Sequence, residues 1–247
     1  GVFISTLPIV LVALNSQVRI QDRKGEVLST VTLDEFWASL GSPYCAQPRL
    51  LFDPYRQRWI FTANANPGTN NAGLLVAVSQ TSDPTGNWHR RFISTTNTGN
   101  LYADSPTLGF NKDWIVVQAH MWYRIDDSFR SSTLYIFNKT NLYAGGSLQP
   151  LRLEFIDAVE GNLGGGHVPA VMYDTNASNM YFVQTWVGND DNGLGWLRLY
   201  SLEVWPPNAP YLKTTDALGD PGPFSTTPNV CVAVTTGLPF MTVVRMI

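Results

Sequence analysis

Cysteine is nearly absent: 247 residues hold only Cys45 and Cys231. Two thiols so far apart cannot make a Cys/His metal set; they close one long disulfide loop or stay free. Charge is scarce too, at 14% Asp, Glu, Lys and Arg with a net value of −3 and no run of one sign. A basic nucleic-acid surface is therefore excluded. The longest apolar run near the start, Ile9 to Leu14, is far too short to span a bilayer as a helix. An initiator Met and a signal-peptide pattern are both lacking, and strand-like segments stand at both ends. The chain thus reads as a fragment or processed product, incomplete at each end. "NLGGGH" (162–167) is rich in glycine but follows no strand-to-helix pattern, so it is no phosphate cradle. "GNDDNG" (188–193) resembles a calcium loop, yet its acids miss the alternating ligand positions. No metal or cofactor is expected.

What the chain has is 44% hydrophobic residues, 12% aromatics, 20 glycines and 16 prolines, a mixture suited to many strands joined by tight turns. Compared with itself, it repeats. "PRLLFDPYRQRWIF" (48–61) matches "PTLGFNKDWIVV" (106–117) and "PAVMYDTNASNMYFV" (169–183). Each is a proline, a short apolar strand, a polar turn and a second apolar strand. A third strand recurs at "LLVAVSQ", "STLYIFNK" and "GWLRLYSLE", and a fourth at "NWHRRFIS", "LQPLRLEF" and "APYLKTTDAL". Four strands per unit of about sixty residues, without helices between, is the blade pattern of a β-propeller. We expect a single all-β propeller: a partial blade at 1–32 lacking its first strand, and a short helix at 33–41. Blades follow at about 42–98, 99–158 and 159–218, and the start of another lies at 228–247. Thr32 and Glu35 are spaced as a capping box, and Gly41 can end the helix. Trp59 and Trp114 fall at equivalent positions and are assigned to the core.

"TSDPTGNW" (81–88) invites comparison with the Asp box of sialidases, S-x-D-x-G-x-x-W, but Gly86 comes three residues after Asp83 and not two. In the repeat register it joins the third and fourth strands of a blade. Asp83 can bond the backbone two residues on, Pro84 presets the turn and Gly86 can supply positive φ. The turn is read as architecture. A sialidase would also need three arginines converging on a carboxylate, and the arginines recur at no common blade position.

Loops entering first strands and leaving second strands should open on one face of the ring. They would bring Tyr44, Gln47, Tyr102, Asp104, Glu160 and His167 towards Asn64, Gln118, His120, Trp122, Gln184 and Trp186. Aromatic faces beside amides and carboxylates suit a sugar or a peptide. Each also has a bland reading: the tryptophans as packing between blades, the histidines as hydrogen-bonded loop residues, Asp104 as a turn cap.

The set "NSQVRIQDRKGEVLS", "PRLLFDPYRQRWIF", "AVSQTSDPTGNW", "DSPTLGFNKDWIVV" and "LYIFNKTNLYAGG" resembles a family of bacterial secreted β-propellers often joined to adhesion or anchoring modules. The resemblance covers residues 12 to 185, implies an exported propeller, and carries no catalytic residues. Family members often have Asp where this chain has Gln47. Many have a Cys, where this chain has Leu75, that would pair with the one matching Cys45. The expectation is a non-catalytic extracellular module, a binding or structural surface for a glycan or protein, with ligand contacts from Tyr44, Asn64, Tyr102, Gln118, His120, Trp122, His167, Gln184 and Trp186. The sequons Asn138-Lys-Thr and Asn176-Ala-Ser lean the same way. The alternative rests on distant similarity to five-bladed glycosidases, whose three acid slots would fall at Gln47, Asp104 and Glu160. Hydrolysis needs a pair of carboxyls, and the first slot holds an amide.

Overall fold

Runs of branched and aromatic residues, cut by turns in which a side chain caps its own backbone, set the order of elements. The computed structural model describes residues 2–4, 8–41, 43–96, 100–146, 149–155, 166–177, 179–185, 194–205, 209–214 and 231–235. Among the described residues helix is confined to short pieces, and the chain is all-β. The first sheet is β1 (Val2–Ile4), β2 (Ile9–Ala13), β3 (Val18–Asp22) and β4 (Val27–Val31). The helix α1 (Leu33–Phe36) and a 3-10 turn (Ala38–Leu40) lead to the second sheet: β5 (Cys45–Asp53), β6 (Arg58–Ala65), β7 (Gly73–Ser79) and β8 (Trp88–Ser94). The third has β9 (Leu101–Phe110), β10 (Trp114–Tyr123) and β11 (Phe129–Asn138), then α2 (Lys139–Tyr143) and β12 (Leu151–Phe155). The fourth has β13 (Val168–Pro169), β14 (Met180–Thr185), β15 (Leu194–Trp205) and β16 (Ala209–Thr214), with β17 (Cys231–Thr235) also paired to β15. Every sheet is an antiparallel meander in chain order.

The first sheet has a strand more than expected, since Val2–Ile4 pairs with β2. The segment expected to open a further unit contributes β17 to the fourth sheet; residues 236–247 lie outside the described ones. The capping box forms in both directions: Glu35 N donates to Thr32 Oγ1 at 3.1 Å and Thr32 N to Glu35 Oε2 at 2.8 Å. Thr32 N and Thr32 Oγ1 both donate to Glu35 Oε2, which favours the ionised carboxylate and lowers the Glu35 pKa. Gly41, at φ 90°, closes the 3-10 turn.

Three apolar layers separate the four sheets. The first takes Leu11, Val18, Phe52, Trp59 and Phe61 from two sheets, joined by Phe36 of α1 and its C-cap Trp37. Ile60, Leu74 and Val76, on the other face of the second sheet, meet Ile115, Val117 and Met121 of the third. Val116, Leu134 and Ile136 then meet Phe182, Tyr200 and Leu202 of the fourth. Alternate residues of β6 and β10 thus feed opposite layers, as the two-residue period of a strand requires. The first strands β1, β5, β9 and β13 neighbour one another in order.

Turns recur with the sheets. Phe52-Asp53, Phe110-Asn111 and Tyr173-Asp174 each open the turn between a first and a second strand with an Asx turn, in which Oδ1 accepts from the backbone N two residues on, at 3.0, 2.9 and 2.8 Å. Trp59 pairs with Phe52, but Phe110 pairs with Ile115. The counterpart of Trp59 is therefore Ile115 and not Trp114, because the second turn (111–114) is shorter than the first (53–58). A one-residue slip reverses the face. Trp59 is fully buried in the first layer, whereas Trp114 is half-buried against the third.

The turn after β7 is internal architecture. Asp83 Oδ1 accepts from Thr85 N at 2.9 Å and Thr85 Oγ1 at 2.7 Å. Two indoles clamp it: Trp88 Nε1 donates to Pro84 O at 3.0 Å and Trp59 Nε1 to Ser82 O at 2.9 Å. Gly86 does not adopt positive φ, contrary to the sequence expectation; the residue that does, in the matching turn of the first sheet, is Gly25 at 92°.

Candidate functional site

On the third sheet, β9 and β10 place Asp104 directly opposite His120 and Tyr102 directly opposite Trp122. Facing residues of an antiparallel pair share a face, with Cβ atoms about 5 Å apart. The four side chains form a two-by-two array, all half-buried. Phe129 of β11 supports it, its ring edge-on to Trp122 at 5.3 Å and to His120 at 5.7 Å. Tyr102 OH donates to Asp127 Oδ1 at 3.0 Å, which fixes the phenol, and Ser105 Oγ donates to Asp104 Oδ2 at 3.0 Å. Burial lowers the His120 pKa, opposed in part by the Asp104 carboxylate. Burial, then Asp127 and Asp104, raise that of Tyr102. At neutral pH the array therefore holds a neutral imidazole and a neutral phenol.

A bulge shapes this corner. Ser105 and Pro106 together oppose Ala119, and Ser105 sits at φ 50°. The second sheet has the same bulge, with Gln47 at φ 55° and Pro48 opposing Ala63. Gln47 therefore corresponds to Ser105, and Ala46 is the counterpart of Asp104. The alignment of Gln47 with Asp104 as acid slots is corrected by one residue. Gln47 binds three sheets together: its N donates to Asn15 Oδ1 at 2.8 Å, and its Oε1 accepts from Asn64 Nδ2 and from Ser105 N, both at 2.7 Å. Since a backbone N–H can only donate, the Gln47 atom facing Ser105 is its oxygen, and Asn64 must turn its amide nitrogen to it.

Beneath the array lies a buried polar cluster between the third and fourth sheets. Thr107 Oγ1 donates to Gln118 Oε1 at 2.8 Å, and Gln118 Nε2 to Ser132 Oγ at 3.3 Å. His167 N also donates to Ser132 Oγ at 3.2 Å, while His167 Nδ1 lies 3.1 Å from the same oxygen. Having accepted two bonds, the hydroxyl has its own proton left to give to Nδ1. Its ring lies between Phe155 at 4.2 Å and Tyr200 at 4.7 Å, and Tyr200 OH donates to Gln184 Oε1 at 2.7 Å. Ser132 and His167 stand at the distance of a nucleophile and base, but at 0% and 1% exposure they meet no substrate. Gly166 lets the chain pass: a Cβ there would lie 2.6 Å from His120 Nε2 and 2.5 Å from Gln118 Nε2. That close approach accounts for the last glycine of "NLGGGH".

The expected contact residues thus divide. Tyr102, His120 and Trp122 gather around Asp104; Gln118, His167 and Gln184 are buried beneath, and Asn64 is buried against Gln47. Tyr44, the counterpart of Tyr102 in the second sheet, is exposed. Trp186, Glu160 and the loop 188–193 lie outside the described residues. Asp127, Phe129 and Gly166 went unread, for only the pairing across the 123–128 hairpin and between sheets reveals them. Cys45 is a free, buried thiol donating to Pro43 O at 3.2 Å, its pKa pushed up to about 12 by burial and by Asp34. Among the described residues no three His, Cys, Asp or Glu side chains come together as a metal would require. Comparison with models of known families and with curated proteins finds no match.

Proposed function

We propose that the four sheets are successive blades of a β-propeller, and that the chain is a non-catalytic extracellular module that binds a glycan or protein at the end of the sheets where Tyr102, Asp104, His120 and Trp122 meet. Four consecutive meanders, stacked through apolar layers with their first strands adjacent, support the blade reading. The observation that carries the non-catalytic reading is the partner of Asp104. Glycoside hydrolysis needs one protonated and one ionised carboxyl flanking the bond. Asp104 instead faces an imidazole, and the Gln47 oxygen is spent between Asn64 and Ser105. The exposed sequon residue Asn138 agrees with export.

The test is a pair of assays on one preparation: chromogenic glycosides for turnover, and glycan and protein panels for binding. Saturable binding without turnover is the expected result. Turnover that disappears in Asp104→Ala would establish the propeller glycosidase instead.

A further inference from the structure

Resting on the binding-module reading, we propose that the Tyr102–Trp122, Asp104–His120 array binds an uncharged sugar, with a ring against the aromatic pair and neighbouring hydroxyls on the polar pair. The register sets two aromatics side by side on one face and an acceptor and an imidazole side by side in the next row. An aromatic pair at strand spacing matches the apolar face of a pyranose or furanose ring. Asp104 only accepts hydrogen bonds, whereas His120, with Gly166 set against Nε2, meets a ligand through Nδ1. A hydroxyl both donates and accepts, so two on adjacent carbons satisfy both residues: one donates to Asp104 and its neighbour accepts from His120.

Charge decides the class of sugar. Among the described residues, Arg124 bonds Gly68 O and Asn100 Oδ1, and Arg130 pairs with Glu154. A carboxylate or sulfate on the ligand would be repelled by the Asp104 carboxylate beside it. The supports beneath are rigid: Phe129 under both His120 and Trp122, Asp127 on Tyr102, Gly166 against the imidazole. Preformed geometry of this kind limits the entropy lost on binding.

Calorimetric titration of the whole chain with uncharged hexose and pentose oligosaccharides, and with a hexuronate oligosaccharide for comparison, tests this. We expect an uncharged oligosaccharide to bind and the hexuronate not to, with little change on added salt. Trp122→Ala and Asp104→Ala should each weaken binding about tenfold or more, the scale of a contact residue worth over 1.4 kcal/mol. Asp104→Asn, which keeps an acceptor, should lose only a fewfold; a loss as large as that of Asp104→Ala would overturn the pairing of a sugar hydroxyl with this acceptor. Asp104 is half-buried at the rim, so its variants remain informative if Trp122→Ala misfolds. Uncharged sugar bound equally well by both alanine variants overturns this site and leaves the binding-module reading standing. Binding to proteins alone overturns the sugar assignment, and hydrolysis of the probe overturns the binding-module reading with it.

Discussion

Two glycines in turns have opposite sensitivities. Gly145 sits at φ 74°, and a Cβ would lie 2.6 Å from the His89 ring, whereas Gly86 has ordinary φ and a nearest neighbour at 3.5 Å. Gly145→Ala should cost more than about 1 kcal/mol, while Gly86→Ala should be neutral or slightly stabilising. Urea denaturation of the two variants measures the difference, and equal costs would contradict it. His120 carries a pH dependence. Its folded pKa lies below the ordinary 6.5, so the unfolded chain takes up the proton first as pH falls. Its contribution to stability is present above about pH 6.5 and is lost on acidification towards the lower folded value. His89, lowered by burial and by Arg91 and Arg58, acts in the same sense. Thermal midpoints of the parent and His120→Asn, taken at about pH 7.5 and about pH 5, should show a smaller acid loss in the variant. An identical loss would remove His120 from the account. None of this was legible in "QAHMWY", because a histidine's pKa depends on what packs against it.

At the scale of the element, the short helix was readable because Thr32, Glu35 and Gly41 act on backbone groups within a few residues of themselves. The repeat strands were readable for the same reason, through their local periodicity. Equivalence between units was not, since it depends on turn length. Trp114 looks like Trp59 until the shorter turn moves it to the opposite face. Nor did the sequence reading single out Lys139, inside a sequon at the start of α2. It is buried with Asp53 of the second sheet, Nζ to Oδ2 at 2.8 Å, and also donates to Asn111 O at 2.5 Å. Tyr143 OH donates to the same Asp53 oxygen at 2.8 Å. Removing one partner leaves a buried charge, so Lys139→Met should cost about 3–5 kcal/mol. Adding Asp53→Asn should recover part of that, because the amide oxygen can still cap the turn. Equilibrium denaturation of single and double variants reads this coupling, and purely additive costs would refute it.

For the molecule as a whole, the three apolar layers share their sheets: β6 and β10 each contribute to two. Damage in one layer is thereby transmitted to the next. Trp59→Phe in the first layer and Phe182→Leu in the third should lower one common calorimetric transition and not split it. Two separated transitions would show that the sheets unfold as independent units. The sequence by itself determined the all-β class, the four-strand unit, the helix and the turn at Asp83, because strand period, capping and Asx turns are local interactions. The tertiary structure alone decided which polar residues meet. Bulges at Gln47 and Ser105 shift the register by one, and that shift puts Asp104 beside His120 and spends Gln47 as a tie between sheets. Residues many positions apart become neighbours through pairing and packing, and no local pattern in the chain records that choice.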